Sequence, residues 1–366
     1  MDPKAQKPIV SIIMPLYNAA DYVLRSAASV FAQSVKDFEL IVVDDGSTDN
    51  GAALLSDAYD SDPRLRIITQ ANSGVSAARN RGLAEMRGDL AAFLDADDEW
   101  MPEHLEDILA IAERFPDAGL LGTGYRQICR GGYVSEIGVC GTEPELVQDY
   151  FSAARSVPFG SLLHISACAV TKEAYDRLGG FMENEPYGED AEFLARYAFY
   201  FPVACHPRVT AVYHREIPTS AMGRCARKWK GDLPPLVRSY PLWAGIELAD
   251  PARLKSLERY VAYILYQTAA LYISLGNRSG VADLLKHPLI QQSEYKLSAA
   301  LAAWAVKGFA FPIARLYYRF SRSRLFHRSM IKGGVSFRCV SRFGLAGTNT
   351  PVGGSLGVEK QRRTCL

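Results

Sequence analysis

In the first 125 residues, short apolar segments alternate with segments of helical periodicity. The apolar segments are nearly continuous, whereas the segments between them repeat apolar residues at i, i+3 and i+4. Continuous apolar strands that alternate with helices predict a parallel sheet covered by helices on both faces. We predict strands at residues 9–14, 38–43, 64–69, 90–94 and 118–122. We predict helices at residues 24–31, from a cap at Ser73 to about Arg87, and from Pro102 onward.

The overall composition is that of a folded protein with a full core. The 366 residues are 48% hydrophobic and carry 41 Lys plus Arg against 40 Asp plus Glu. A disordered chain is therefore excluded, and a wholly basic nucleic-acid binder is disfavoured. The charges are unevenly placed, since residues 301–366 hold 12 Lys plus Arg and one acid, Glu359. An acidic body with a basic end predicts two regions in different surroundings.

The cysteines and the apolar segments indicate where the chain works. The seven cysteines are scattered and form no C-x-x-C pair, which disfavours a disulfide framework or a zinc site. No stretch reaches the roughly 18 apolar residues of a membrane span, and the start shows no secretory pattern. We expect a cytoplasmic protein.

Acidic clusters follow two of the predicted strands. Asp44 and Asp45 end the second strand, and Asp95, Asp97 and Asp98 follow the fourth. Such aspartates often only make turns or cap helices. Ligands of α/β sheets, however, bind outside the carboxyl ends of the strands. Two clusters at one sheet edge therefore favour a shared cation or polar ligand.

The common phosphate-binding motifs are missing from this sequence. Neither G-x-G-x-x-G nor G-x-x-x-x-G-K-[ST] occurs, so a dinucleotide site or a P-loop is not supported. Carboxylates at positions 95, 97 and 98 are ligands that Mg²⁺ or Mn²⁺ prefers, and such an ion could hold the phosphates of a nucleotide instead.

Four motifs occur in a fixed order: SIIMPLYN at 11–18, VVDDGSTD at 42–49, NSGVSAARN at 72–80 and FLDADD at 93–98. Together they resemble the nucleotide-binding half of the family 2 glycosyltransferases, and the resemblance extends over residues 8–220. It implies the α/β GT-A fold, a Rossmann-like, mixed and mostly parallel sheet flanked by helices. We expect a GT-A domain at 1–220, divided into a nucleotide-sugar part (8–125) and an acceptor and catalytic part (126–220).

The resemblance implies a nucleotide pocket. Pro15 and Tyr17 would line it, with the tyrosine ring stacked on the base, and Asp45 would accept a hydrogen bond from the base. Arg79 would approach the base or diphosphate, and Asp95 the ribose or the metal. Tyr17 could instead be ordinary packing, and Arg79 a solvated helix charge.

The resemblance also implies a divalent cation, Mn²⁺ or Mg²⁺. Asp97 would bind the ion that bridges the two phosphates, with Asp95 and Asp98 beside it. His214 is a further candidate near the end of the domain, although a packed or surface histidine is an equal alternative.

A glycine-glycine-phenylalanine segment at 179–181 and YGEDAEFLAR at 187–196 complete the resemblance. By that match, Asp190 is the general base and Glu189 its neighbour on the acceptor or donor-sugar side. A carboxylate can act as a base when it reaches the acceptor hydroxyl. The alternative is that both acids only stabilise a helix N-terminus.

The C-terminal part differs in character from the first half. We expect a helical region at 221–332, with helices at 253–275 and 297–320, and a basic, loosely ordered tail at 333–366. Residues 301–342 interleave aromatic and basic side chains, which suits peripheral contact with an anionic membrane at its inner face. A helical subdomain packed on the enzyme explains them equally well, and RNA binding is disfavoured.

The implied function is that of a metal-dependent, inverting glycosyltransferase, by expectation a hexosyltransferase. It would transfer a sugar from a nucleotide-sugar donor, by expectation a UDP-sugar, to a glycan or polyprenyl-linked acceptor of a cell-surface polysaccharide or exopolysaccharide. One alternative is a non-catalytic component that binds nucleotide sugars within an assembly complex. Another is a nucleotidyltransferase, but positions 15–18 lack its Gly-rich, basic loop.

Overall fold

The structure is a computed structural model, and it describes residues 7–129, 132–139, 141–157, 161–185, 187–217, 233–244, 250–275, 281–295, 330–332 and 335–341. Its strands are β1 (Val10–Leu16), β2 (Phe38–Asp44), β3 (Leu65–Thr69), β4 (Leu90–Phe93), β5 (Glu99–Trp100), β6 (Leu120–Cys129), β7 (Tyr133–Val139), β8 (Glu145–Leu146), β9 (Cys168–Thr171), β10 (Val203–His214), β11 (Met330–Lys332) and β12 (Val335–Ser341). Its helices are α1 (Val23–Phe31), α2 (Gly51–Tyr59), α3 (Val75–Glu85), α4 (His104–Arg114), α5 (Tyr150–Ser156), α6 (Lys172–Leu178), α7 (Glu189–Tyr200), α8 (Pro235–Ala244), α9 (Pro251–Leu275), α10 (Val281–Leu285) and α11 (Pro288–Gln291).

The central sheet is mixed. Strands β3, β2, β1 and β4 are neighbours and run parallel, and β10 runs parallel to β6. Strand β9 lies between β4 and β6 and is antiparallel to both. The predicted mixed α/β architecture is therefore confirmed. The fifth predicted strand, now β6, does not adjoin the parallel group, because a later segment of the chain occupies the place beside β4.

The parallel strands lie at the centre of the core. Every residue of β2 is buried, as is all of β1 except Pro15, which is half-buried. Burial on both faces explains why these segments read as continuous apolar runs.

Two helix starts differ from prediction. Ser73 does not cap α3: its Oγ donates to the carbonyl of Ala71, and the helix begins after Gly74, whose φ of +91° is a left-handed value. Helix α4 begins at His104, two residues beyond Pro102. In both places a turn intervenes between the sequence signal and the first helical residue.

The C-terminal helices pack on one another and on helices of the segment 126–220. Helix α8 packs on α7, and α9 packs on α5, α10 and α11. The helix predicted at 253–275 is confirmed by α9, whereas the one predicted at 297–320 lies outside the described residues. Within the part of the chain that the structure describes, no helix is both long and apolar enough to cross a bilayer.

A short part of the tail is described. Val335–Ser341 lies in the segment expected to be loosely ordered, and it forms β12, which pairs antiparallel with β7. The edge of β7 offers unpaired backbone groups, and the backbone N–H and C=O groups of this segment satisfy them. The rest of the tail lies outside the described residues.

Candidate active site

The carboxyl ends of the parallel strands bring the predicted nucleotide residues together. In the register of the sheet, Leu16 of β1 is the partner of Asp44 in β2. Tyr17 and Asp45 follow these two residues directly. On the other side of β1, β4 pairs up to Phe93, so that Asp95 follows at the same edge. The structure thus confirms the convergence that the two acidic clusters predicted.

Tyr17 stands at the mouth of this edge. The residue is 42% exposed, so it does not belong to the core. The next residue, Asn18, has a φ of +49° and accepts hydrogen bonds from the backbone N–H and the hydroxyl of Thr48 at 2.8 and 3.1 Å. These bonds tie the loop after β1 to the loop after β2 and so hold the backbone that carries Tyr17.

Asp45 is buried and is already a hydrogen-bond acceptor. Its carboxylate accepts from the backbone N–H groups of Ser73 and Gly74 and from the side chain of Gln70, each at 2.8 Å. A carboxylate has about four lone-pair sites. Three are occupied here, so one remains for a donor of the base.

Arg79 lies inside the protein rather than on a solvated helix face, since its side chain is 3% exposed. It donates to Asp95 at 2.7 Å and to Glu189 at 3.1 Å, and its guanidinium lies over the ring of Phe181. Burial lowers the pKa of Arg79, but the charges of Asp95 and Glu189 outweigh it and raise that pKa above its ordinary value. Arg79 therefore stays positively charged. It joins the start of α7 to the sheet edge that carries Tyr17, Asp45 and Asp95, which we call the nucleotide edge.

Asn80, beside it on α3, fixes the glycine-glycine-phenylalanine segment. Its Oδ1 accepts from the N–H of Phe181 at 2.7 Å, and its Nδ2 donates to the carbonyl of Phe181 at 2.9 Å. A Cβ added at Gly180 would lie 2.1 Å from Asn80 Oδ1, so this approach requires glycine. The segment positions the loop that leads into Glu189 and Asp190.

Asp98 is engaged in the core instead of facing a ligand. It is fully buried, and its two oxygens accept from the hydroxyl of Ser166 at 2.6 Å and from the backbone N–H of His214 at 3.0 Å. Burial and the charges of Asp97 and Asp95 raise its pKa well above the ordinary value. Asp98 thus supports the turn and is not placed as a metal ligand.

His214 is likewise occupied. Its Nε2 lies 2.6 Å from Glu99 and its Nδ1 lies 2.7 Å from Glu216. A metal ligand must offer a nitrogen lone pair, and in this arrangement both ring nitrogens contact carboxylates. Of the four predicted ligands, we carry Asp95 and Asp97 into the proposed function, and the role of His214 stays a prediction.

Asp95 and Asp97 fit a divalent cation. The turn that holds them is closed by a hydrogen bond from the N–H of Asp98 to the carbonyl of Asp95 at 3.0 Å. Burial and the charge of Asp95 raise the pKa of Asp97 to about 6, as expected where negative charge is not fully compensated. Among the described residues, no three acidic, histidine or cysteine side chains form a ready metal site. Two carboxylates suffice when phosphate oxygens complete the shell of Mg²⁺.

Glu189 and Asp190 begin α7. The side chain of Glu189 is 14% exposed and accepts from Arg79. Burial and the charge of Asp190 raise the pKa of Glu189 to about 7, against the effect of Arg79. The Oδ1 of Asp190 accepts from the N–H of Ala191 at 2.7 Å. Asp190 also lines a cavity of about 170 Å³, so one acid faces the arginine and the other the cavity.

Sequence analysis did not predict the residues that line this cavity. It includes side chains from β6, β10, α7 and α9, among them Tyr125, Gln127, His164, Tyr187, Tyr213, Arg215, Tyr260, Ile264, Gln267 and Thr268. One signal was available, because Tyr213 and Arg215 are two positions apart around the end of β10 and share a face opposite to His214. No local signal connects α9 to this place.

In comparisons with known proteins, the first half of the chain matches a described family. Residues 11–175 match the family described as "Glycosyl transferase family 2". Over these 165 residues the chain is therefore similar to the family 2 glycosyltransferases. Similar proteins include the putative teichuronic acid biosynthesis glycosyltransferase TuaG of Bacillus subtilis, 39% identical over 128 residues, or 34% of this chain and 50% of TuaG. An uncharacterized glycosyltransferase of Haemophilus influenzae is 43% identical over 100 residues, or 27% of this chain and 40% of that protein. The chain thus spans half or less of the length of these two relatives.

Solved structures show the same fold over a longer part of the chain. The structure of Staphylococcus aureus TarS 1–349 in complex with UDP-GlcNAc matches 90% of this chain and 96% of that one, with a TM-score of 0.56 and 17% identity. The mannosyltransferase PcManGT of Pyrobaculum calidifontis, in complex with GDP-Man and Mn²⁺, matches 86% and 88%, with a TM-score of 0.50 and 19% identity. At these identities the likeness concerns the fold.

Proposed function

We propose that this chain is an inverting, metal-dependent glycosyltransferase that transfers a hexosyl group from a UDP-sugar to a hydroxyl group of a glycan or lipid-linked acceptor in polysaccharide assembly. The observation that carries the proposal is the placement of Asp190. It lines a cavity, while its neighbour Glu189 is joined through Arg79 to Asp95 at the nucleotide edge. A base and a donor site are thus held side by side.

The proposed reaction assigns a role to each group. Tyr17 stacks on the base of the donor, and Asp45 accepts from its N–H. Asp190 takes the proton of the acceptor hydroxyl as that oxygen bonds to the anomeric carbon, and the bond from this carbon to the diphosphate oxygen breaks. Attack on the face opposite the leaving group inverts the configuration.

The departing nucleoside diphosphate gains negative charge. Asp95 and Asp97 would hold the cation, and a bound Mn²⁺ or Mg²⁺ supplies electrostatic stabilisation of the diphosphate. Arg79 orients Asp95 for this task through its 2.7 Å hydrogen bond. The complexes of similar fold with UDP-GlcNAc and with GDP-Man and Mn²⁺ are in keeping with a nucleotide-sugar donor.

The first experiment measures UDP release from a panel of UDP-sugars with Mn²⁺ and a panel of glycan acceptors. We expect Asp190→Asn to lower turnover by about 10²- to 10⁴-fold while the affinity for UDP stays unchanged. Asp176→Asn is the matched control, since Asp176 is an exposed acid paired with Lys172 on α6. Equal turnover by Asp190→Asn and wild type would remove Asp190 as the base.

A non-catalytic component of an assembly complex is the second candidate. It would bind UDP with Mn²⁺ but release none from any donor and acceptor pair. Asp190 argues against this candidate. A protein that only binds nucleotide sugars has no need of a carboxylate that faces a cavity apart from the nucleotide edge.

Peripheral membrane contact through residues 301–342 is a further part of the proposal, although most of that segment lies outside the described residues. Because β12 pairs with β7, truncation would expose a sheet edge. Substitution of Arg315, Arg319 and Arg322 by glutamine in the full chain is therefore the better test. Unchanged sedimentation with phosphatidylserine vesicles at low salt would contradict membrane contact.

A further inference from the structure

The cavity beside Asp190 is distinct from the nucleotide edge. Tyr17, Asp45, Arg79, Asp95 and Asp97 do not line it, although Asp190 does. Its walls come from the ends of β6 and β10, the start of α7 and the middle of α9. Asp190 is therefore the proposed base that faces this cavity.

The size of the cavity limits its occupant. A volume of about 170 Å³ is close to the roughly 150 Å³ that holds benzene in an engineered cavity, and is below the roughly 300 Å³ at which pockets for drug-sized ligands begin. The cavity thus has room for a single six-membered ring.

The chemistry of the walls selects the kind of ring. Tyr125, Tyr213 and Tyr260 offer aromatic surface, and the ring of His164 stacks on that of Tyr213 at 4.0 Å. Aromatic faces suit the C–H faces of a pyranose, whereas carboxamides suit its hydroxyl groups. Gln127 and Gln267 supply two carboxamides.

Gln267 is the carboxamide most open to a ligand. That of Gln127 already donates to the sulfur of Cys129 at 3.2 Å. Gln267 lies on α9, is half-buried, and its side chain makes no hydrogen bond to another described residue. A ligand hydroxyl in the cavity would satisfy both its donor and its acceptor.

The charge of the walls is balanced. Arg215 and Asp190 both line the cavity and carry opposite charges, while burial lowers the pKa of His164 and favours its neutral form. A neutral ring is therefore a better match than a uronic acid, whose carboxylate would approach Asp190.

We propose that this cavity binds one neutral pyranose, the terminal sugar of the acceptor, with a hydroxyl directed at Asp190, and that Gln267 determines its specificity. The inference rests on the proposed transferase function, since it identifies the acceptor side of that site. It assigns a role to α9, a helix outside the matched family segment 11–175.

The test is binding rather than turnover. The full chain is saturated with UDP and Mn²⁺ and titrated with methyl glycosides of glucose, galactose and N-acetylglucosamine, and binding is followed by ligand-observed NMR. Methyl glucuronide is the anionic comparison. We expect wild type to bind at least one neutral glycoside, and Gln267→Leu to weaken that binding about three- to tenfold through the lost hydrogen bonds. Gln267→Ala serves as a second variant should leucine disturb the fold.

Gln292→Leu is the matched control, an exposed glutamine just after α11, and should bind like wild type. Preference for the glucuronide, or no binding of any neutral glycoside, would overturn the inference. A loss of UDP-sugar affinity in Gln267→Leu with unchanged glycoside binding would assign the cavity to the donor sugar instead. Failure of wild type to bind UDP at all would contradict the proposed function and not the cavity assignment alone.

Discussion

Arg79 and Glu189 are 110 positions apart in the chain, and their side chains meet at 3.1 Å. This contact connects α3, which follows the nucleotide motifs, to the first residue of α7. The same guanidinium holds Asp95. The two halves of the candidate site therefore share one buried cation, and their relative position depends on it.

Loss of the Arg79 cation should lower the stability of the protein. Arg79→Met leaves two carboxylates of low exposure without their partner, which costs about 3 kcal/mol in the free energy of unfolding. Arg79→Lys should recover only part of it, because an ammonium group lacks the planar fork. Urea denaturation measures the change, with Arg81→Met as control, since Arg81 is exposed and pairs with Glu85 on the helix surface. If Arg79→Met and Arg81→Met were equally stable, the central role of this cation would be wrong.

Asp97 and Asp98 are adjacent but should respond differently to alanine. Asp97→Ala should abolish the effect of Mn²⁺ on UDP affinity and leave the unfolding temperature nearly unchanged. Asp98→Ala removes the acceptor of Ser166 and of the His214 N–H, and each unsatisfied buried donor costs about 1–3 kcal/mol. Calorimetric titration and thermal unfolding of both variants distinguish the roles. A well-folded Asp98→Ala that loses only the Mn²⁺ effect would restore Asp98 as a ligand.

Tyr17 should contribute to nucleotide affinity and little to stability. Stacking of a base on an aromatic side chain is worth about 1–3 kcal/mol, so Tyr17→Ala should weaken UDP binding by at least about fivefold. Tyr17→Phe keeps the ring and should bind within about twofold of wild type. Because the ring is 42% exposed, neither change should lower the unfolding temperature. A destabilised alanine variant with unchanged affinity would show that the ring packs instead.

Asp107 lies away from the candidate site and should make the free energy of unfolding depend on pH. Its side chain is 3% exposed and lies 3.2 Å from Arg208, and burial raises its pKa from the ordinary 3.8 to about 6. Stability that is present below pH 3.8 is therefore lost as the pH rises through about 6, because the buried carboxyl must ionise.

Asp107→Asn removes this loss. We expect it to be more stable than wild type by about 1–3 kcal/mol near pH 8 and to lose that advantage near pH 4. The lost ion pair with half-exposed Arg208 opposes the gain only weakly. Denaturation at both pH values, with exposed Asp117→Asn as control, measures the difference. An advantage that is equal at both pH values would point to a cause other than ionisation.

The sequence predicted those parts of the site that lie at the ends of apolar strands. Tyr17, Asp45 and Asp95 each follow a strand whose burial is evident from its composition, and parallel register brings them to one edge. In the acidic run at 95–98, by contrast, sequence could not tell which carboxylate turns inward. Asp98 turns inward because it accepts hydrogen bonds from Ser166 and from the backbone of His214, which are 68 and 116 positions away.

The cavity beside Asp190 was beyond prediction for a similar reason. Its lining combines Tyr125, Tyr213 and Gln267, which no motif connects and which only the packing of α9 brings together. The order of the sheet had the same limit, because β9 enters beside β4 from a later part of the chain. Local pattern specifies each element, whereas the choice of neighbours is decided by the whole core.

The three hydrogen bonds that Asp45 already accepts bear on which nucleotides can enter. With about one lone-pair site left, its carboxylate can receive a single N–H from the base. Uracil presents such a donor at N3, whereas cytosine presents a lone pair there and would be repelled. We therefore expect the protein to reject cytidine-linked sugars through electrostatic repulsion at one oxygen atom of Asp45, even where stacking on Tyr17 would be equally favourable.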